Sequence, residues 1–520
     1  VETPAVAEEV VAAVVRLDHN ILHLLFNTMR TKYIICLIAL IAVGKSSFAQ
    51  YAKDAVRFST AQTGTTSRVK GIGNANVAVG GDLTSVSGNP AGIGFFTRSE
   101  ISFTPEFNAT KNDASYLGQS SMQSKNSGNV NNVAAVFYSR LNTARGTNKT
   151  KGWLSANFGV GYSRTNDFGE NIRFGGTNTN SINDYYADLA NSSGIQGDFV
   201  QGYAYDHNLI DPYNTTSTPY QSNNPRPISV KQANAITRTG GQSEFNLAFG
   251  ANYSNKLYLG FGIGITSLNY NSTNIFNETG VVNIGEGTPA VFTNRNYNST
   301  YTQYQATKGA GFNAKVGVIY KIDEAVRLGA QITTPTWMSV DDAFSEGLNT
   351  QLSNNTKYNS QSPDYNLSYS MRTPFKAAGG LSVFLGKAGF ITGDVEYVNY
   401  SSTRLNNADG FNASYDNSII TNNYKGAVNL HTGAEIKIVP NFMLRGGYSL
   451  IGSPLKTGGK NTTMATGGLG YRFGTYFVDA AYQHASAYQN INPYLLGTNT
   501  PVANVTRTND NFFLTLGMRF

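Results

Sequence analysis

Asn511-Phe512-Phe513-Leu514-Thr515-Leu516-Gly517-Met518-Arg519-Phe520 ends the chain, and its reading decides the fold. Phe512, Leu514, Leu516, Met518 and Phe520 make one apolar set, whereas Phe513, Thr515, Gly517 and Arg519 are mostly small or polar. A period of two puts these sets on opposite faces of a strand. A strand ending on an aromatic suits the closing seam of a transmembrane barrel, with lipid on one face and a lumen on the other. Such a barrel requires an even number of strands, short turns at one end and long loops at the other.

The same alternation recurs upstream. Between 427 and 439, Val428, Leu430, Ala434, Ile436 and Ile438 face one way, and Asn429, His431, Gly433, Glu435 and Lys437 the other. A one-residue slip would turn Lys437 and Glu435 toward lipid, and a Lys at the bilayer midplane costs roughly 2–4 kcal/mol. Leu257, Leu259, Phe261, Ile263 and Ile265 alternate with Tyr258, three glycines and Thr266. Phe245, Leu247, Phe249 and Tyr253, and Leu328 with Ile332, repeat the pattern. Fourteen strands are predicted, at 98–110, 131–141, 152–165, 242–254, 257–271, 299–321, 325–337, 364–385, 387–401, 425–438, 441–452, 463–473, 475–488 and 509–520. Each reaches the roughly 9–11 residues a tilted crossing needs. Short turns near Asn255, Asp323, Gly386, Pro440 and Gly474 alternate with long Asn-, Ser-, Thr- and Tyr-rich connections, the longest at 166–241. Tyr162, Tyr253, Tyr270, Tyr320, Trp337, Tyr397, Tyr448 and Tyr476 fall near strand ends, where amphipathic rings favour the headgroup level. Two-sided alternation in so many strands predicts an all-β, transmembrane, antiparallel barrel.

Composition agrees. Charged residues make up 14% of the 520, against about 25% in soluble domains, with 12% aromatics and 54 Gly. The aromatic content argues against disorder. The net charge of +7 is spread over single basic residues, which gives no nucleic-acid patch. Residues 1–28 do not begin with Met and read as an upstream extension. Residues 29–49 read as an export signal: Arg30 and Lys32, an apolar core from Tyr33 to Val43, and Ser47-Phe48-Ala49. Cys36, the only cysteine, lies in that signal.

Residues 50–97 are neither helical in period nor alternating, and are rich in Gly. Without a Lys-Ser/Thr pair, their Gly-Ile-Gly at 71–73 is no nucleotide loop. They read as a compact hatch inside the barrel of 98–520. Asn89-Pro90-Ala91-Gly92, the Thr373-Pro374-Phe375 stretch before Gly379-Gly380, Asp394-Val395-Glu396-Tyr397 and Leu444-Arg445-Gly446-Gly447-Tyr448-Ser449 together resemble the FadL/TodX family of outer-membrane transporters. The alternation of short turns and long loops places both termini in the periplasm, and the resemblance implies a monomer and passive uptake of long-chain fatty acid-like hydrophobic or amphipathic molecules. It also implies that Asn89, Pro90, Ala91 and Gly92 seat the hatch, with Phe95 and Phe96 as apolar gate or pocket contacts. Ligand would leave sideways beside a kinked third strand, for which the small inward Gly159 and Gly161 are candidates. The C-terminal strand would meet the barrel-assembly machinery, and outer-membrane lipids would surround the wall.

Asp394, Glu396, Glu435, Lys437, Arg327, Lys315, Arg445 and Asp479 all have inward parity. Mixed signs suggest charge pairs that brace the wall and dock the hatch, rather than a one-sign filter. Arg445 or Lys437 meeting a ligand carboxylate is the other reading. His207, His431 and His484 are dispersed, with no nucleophile–base spacing and no metal-ligand cluster, so neither an enzyme nor a cofactor is expected. A general porin, or a surface adhesin or haem receptor using the long loops, are the alternatives.

Overall fold

The computed structural model describes residues 49–142, 148, 150–214 and 217–520. The upstream extension, the signal segment through residue 48, and Cys36 lie outside the described residues. Fourteen antiparallel strands close into one barrel. They are β1 (Glu100–Tyr116), β2 (Gln119–Phe137), β3 (Trp153–Asp167), β4 (Val230–Tyr253), β5 (Leu257–Glu286), β6 (Val291–Lys321) and β7 (Val326–Thr333 with Trp337–Leu352). There follow β8 (Tyr365–Arg372 with Lys376–Phe384), β9 (Gly389–Asn399), β10 (Gly426–Val439), β11 (Phe442–Ile451), β12 (Thr462–Phe473), β13 (Tyr476–Ile491) and β14 (Ala503–Arg519). β14 closes on β1 from Glu100↔Arg519 to Ser115↔Asn504, and the Phe520 amide adds a bond to the Ser99 carbonyl at 2.9 Å. Strands β7 and β8 each break once, at Pro335 and at Pro374, because proline brings no N–H to the ladder.

The register follows from the alternation. Phe261, Ile263 and Ile265 on β5, Val428, Leu430 and Ile436 on β10, and Phe512 and Leu516 on β14 face outward. Phe513 and Thr515 between them are fully buried. Among the expected girdle residues, Tyr253, Tyr320, Trp337, Tyr397, Tyr448 and Tyr476 also face outward, and Tyr162 is half-buried. Tyr270 differs: it is 1% exposed and points into the lumen. Parity decides this, since Tyr270 is an odd number of residues from the outward Ile265.

The strands run on at the long-loop end. β5 spans 30 residues and β6 31, about three times the roughly 9–11 that a crossing needs. The expected loops 111–130 and 272–298 are mostly strand. In the first, β1 and β2 meet at Leu117-Gly118, both with positive φ, as a two-residue hairpin turn requires. Residues 166–241 build a cap. A strand at Glu170–Asn178 pairs with β4, and it is followed by the helices Ile182–Ser193 and Val200–Asp206 and a small hairpin. Tyr186, Leu209, Phe276, Tyr301 and Leu348 form the buried centre of that cap. Tyr494, from the loop before β14, reaches Gln232 at 2.8 Å and ties the cap to the other side of the rim.

Candidate functional site

The hatch begins as an amphipathic helix, Ala49–Ser59, high in the lumen under the long loops. Ala52, Ala55, Val56 and Phe58 pack among Phe168, Tyr270, Tyr369 and Phe411, all buried. The Ala52 amide donates to Asp416 Oδ1 at 3.0 Å, on the helix Ser414–Asn423 of the β9–β10 loop. The chain then descends and winds across the short-turn half. Asp82 accepts from the Thr84 amide at 2.9 Å and caps the turn Leu83–Val86.

Asn89 caps the turn Pro90–Phe95. Its Oδ1 accepts from the Ala91 amide at 3.1 Å, and its Nδ2 donates to the carbonyls of Val77 (2.7 Å) and Ala330 (3.3 Å). One amide therefore links two hatch segments to the wall. Pro90 sits at the start of the turn, where its missing N–H costs nothing. Ala91 and Gly92 are buried against β5 and the turn at Ser85. Close approach is obligatory here: a Cβ on Gly317 would stand 1.8 Å from Asn89 Oδ1, and one on Gly260 2.1 Å from the Pro90 carbonyl carbon.

The inward charges of the wall hold this half of the hatch. Arg68 donates from Nε to Glu435 at 2.9 Å; Glu435 also takes Arg445 Nε at 2.7 Å, and Arg445 reaches Asp479 at 2.7 Å. Asp394 accepts the Val77 amide at 2.8 Å. Lys315 pairs with Glu244 and donates to the Ser87 carbonyl at 2.8 Å. Arg327 donates to the Val79 carbonyl and stacks over Phe95. His431 is bonded to the Gly73 carbonyl and to Ser449, both at 3.0 Å. Removing one partner of a buried charge pair costs about 3–5 kcal/mol, so this floor is rigid.

The wall itself is incomplete at one place. β2 pairs with β3 over six residues only, Asn132↔Ser163 to Phe137↔Phe158, while β2 continues along β1 to Gln119. Beyond Ser163, β3 pairs in the sheet with β4 alone, its Thr165 carbonyl taking the Gln62 amide of the hatch at 2.8 Å, with irregularities at Arg164–Asn166 and a break before Glu170.

No family model and no curated protein sequence matches the chain. Among solved structures, it is similar to a Pseudomonas aeruginosa FadL homologue, with a TM-score of 0.50 and 12% identity over 88% of this chain and 99% of that one. It is also similar to the P. putida toluene transporter TodX (TM-score 0.48, 13% identity, 88% and 99%). A third is the CymD monoaromatic hydrocarbon channel (TM-score 0.48, 11% identity, 88% and 98%). The chain has the FadL fold.

Within that FadL-type barrel, several expected site residues take other places. Arg445 has no exposed side-chain surface and is committed to Glu435 and Asp479 beneath the hatch, so no ligand reaches it. Lys437 lies exposed at the short-turn mouth, two residues from the strand end. Phe95 stacks on Tyr258 at 3.7 Å, and Phe96 is 4% exposed. Both close the floor rather than line an open pocket. Gly159 and Gly161 face Val86 of the hatch and lie inside the paired stretch, opposite Val136 and Ala134. They seat the hatch, and the unpaired seam starts just past them. Sequence reasoning missed Arg164 and Asp167 at that seam, although a charged pair three residues apart at the expected end of the third strand was there to be read. Phe520 lies at the short-turn end, and the helix Ala49–Ser59 lies toward the long-loop end.

Proposed function

We propose that this chain is an outer-membrane channel for passive uptake of hydrophobic or amphipathic small molecules, with the short turns in the periplasm and the long loops outside. The observation that carries this reading is a closed barrel stoppered by its own N-terminal segment and unzipped between β2 and β3. A stopper closes the straight path, and an unpaired stretch of wall offers a sideways one. The outward apolar belt supports a lipid setting. Asn89 and Pro90 hold the stopper to the wall, and the seam from Ser163 to Asp167 is the exit. The chain acts without a cofactor. Its C-terminal strand is the segment offered to the assembly machinery, and one chain completes the channel.

The experiment is a pair of measurements on the full chain. In planar bilayers it should conduct ions only in rare, brief events, and Asn89→Ala combined with Gly317→Val should convert it to steady conduction. In proteoliposomes it should accelerate entry of a labelled amphiphile. Steady conduction by the unaltered chain would make it a general porin and overturn the reading.

A further inference from the structure

Two cavities meet at the seam between β2 and β3. The outer one, about 460 Å³, is lined by Lys125, Ser127 and Asn129 of β2, Arg164 and Asp167 of β3, and Gln242 of β4, with no large apolar side chain. The inner one, about 220 Å³, lies in the lumen between Lys70 of the hatch, Glu106 and Asn108 of β1, Gln483 of β13, and Arg507 and Asn511 of β14. Arg164 and Asp167 belong to both. Asp167 Oδ2 accepts from Asn108 at 3.1 Å and Asn129 at 2.8 Å, and its Oδ1 stands 3.5 Å from Arg164. One carboxylate therefore ties β1, β2 and β3 across a gap that the sheet leaves open.

The height of the gap is fixed by its neighbours. Phe245, paired beside Tyr162, is outward and apolar just below it. Ser267 and Asn269 are outward and polar just above. The seam thus opens at the upper rim of the lipid-facing belt, where headgroups lie.

The inner cavity does not select an anion. Its lining sets Lys70, Arg164 and Arg507 against Glu106 and Asp167, and Glu170, which lies outside the lining and is shared with Arg238, stands 3.6 Å from Arg507. The apolar space higher up is filled by the chain's own Phe58 and Val56. What remains is amide-rich. Asn108, Gln483 and Asn511 each keep a buried oxygen without a partner, and Arg164 keeps its Nε–H, so both donors and acceptors are wanted. At 220 Å³ the space is below the roughly 300–1,000 Å³ of a pocket for a whole drug-sized molecule, and suits a head group.

Resting on the transport reading, we propose that the cargo is an amphiphile with a neutral, hydroxyl-rich head of the glycoside or polyol type. The head lodges among Asn108, Gln483 and Asn511 and leaves through the Arg164–Asp167 latch, while the tail follows the apolar belt. Hydroxyls both donate to the orphaned amide oxygens and accept from Arg164, whereas a carboxylate can only accept and a hydrocarbon does neither.

The test uses the full chain in proteoliposomes and three radiolabelled probes below their micellar concentrations: a dodecyl glucoside, dodecanoate and toluene. Entry of the glucoside should exceed that of dodecanoate at least tenfold and saturate. Asn108→Leu with Gln483→Leu should remove this preference while leaving the heat-modifiable gel mobility of the folded barrel unchanged. Asn129→Cys with Asp167→Cys should abolish glucoside entry under oxidising conditions and regain it with reductant. Faster entry of dodecanoate or toluene, or entry indifferent to the cross-link, overturns this inference and leaves transport standing. Failure of all three probes in a folded barrel overturns the transport reading itself.

Discussion

The two halves of this barrel obey different rules. In the short-turn half, the outward rows are mostly apolar, the turns other than the β2–β3 connection are short, and the lumen is nailed shut by buried charge: Arg68, Glu435, Arg445 and Asp479 below, Lys315 and Glu244 at the side. In the long-loop half, outward positions such as Ser267 and Asn269 are polar, while the inside is apolar around Phe58, Tyr270 and Phe411. The wall is inverted with height. Where lipid lies outside, the lumen holds the polar groups; where water lies outside, the inside becomes an ordinary hydrophobic core.

The sharpest way to break that comparison is at the charged floor. Arg445→Met removes the cation that Glu435 and Asp479 share, leaving them Arg68 and Arg472, and should cost about 3 kcal/mol, read as a lower urea midpoint in detergent. Adding Glu435→Gln and Asp479→Asn should return part of the loss. Equal stability of the single variant would show that the floor is not held by charge. Next in size is the inversion itself. Phe261→Arg, in the middle of the outward apolar row, should cost roughly 2–4 kcal/mol, and Asn269→Arg, eight residues higher on the same face, about 0–1 kcal/mol. Reversible folding into vesicles measures both, and equal penalties would remove the assigned belt height.

That inversion also explains what was legible. Alternation is visible where one face must be apolar and the other cannot be, so residues such as Val428 and Lys437 gave strand, face and register together. Above the belt both faces can be polar: Thr279 and Asn298 are paired strand residues outside any alternating pattern, and the segment 272–298 that holds them read as a loop. The wall charges were legible as a set because a mixed-sign lumen has few other uses. The role of a single member was not. Arg445 as a ligand contact fails because two carboxylates, Glu435 on the adjacent β10 and Asp479 on β13 two strands away, already claim it, and strand order across the sheet is not written in spacing. The seam was missed for the same reason, since a gap is a property of pairing and not of either strand.

The long-loop half should also respond to pH in two opposed ways. Burial against Tyr358, with Thr350 and Ser360 on its nitrogens, pushes His207 down to about 4 from an ordinary 6.5. The unfolded cap therefore binds the extra proton first. Stability from this site is complete above about 6.5 and is lost as pH falls toward 4. Burial pushes Asp416 up to about 6 from an ordinary 3.8. Its contribution is complete below about 3.8 and is lost as pH rises through 6. As pH falls from 6.5 to 4, then, hydrogen-exchange protection relative to the intrinsic rate should fall in the helix Val200–Asp206 and rise in the helix Ala49–Ser59. Protection moving the same way in both would refute the assignment of either group.

The smallest expected effect tests the face of one ring. Tyr270 was placed with the outward girdle by its position near a strand end, yet parity turns it inward, where its hydroxyl receives Arg57 at 2.7 Å and its ring packs on Phe58 and Phe168. Tyr270→Phe keeps the ring and deletes only that acceptor, so it should cost about 1 kcal/mol, because Arg57 retains Asp54. Tyr448→Phe, outward and half-exposed at 49%, should cost less, since its hydroxyl meets solvent or headgroups in either case. The loss at Tyr270 should appear as faster proteolysis near Arg57 with an unchanged midpoint for the whole barrel, because the helix it steadies belongs to the long-loop core and not to the charged floor. A change in the global midpoint instead would mean that the two halves unfold as one unit, and that the inversion between them carries no difference in cooperativity.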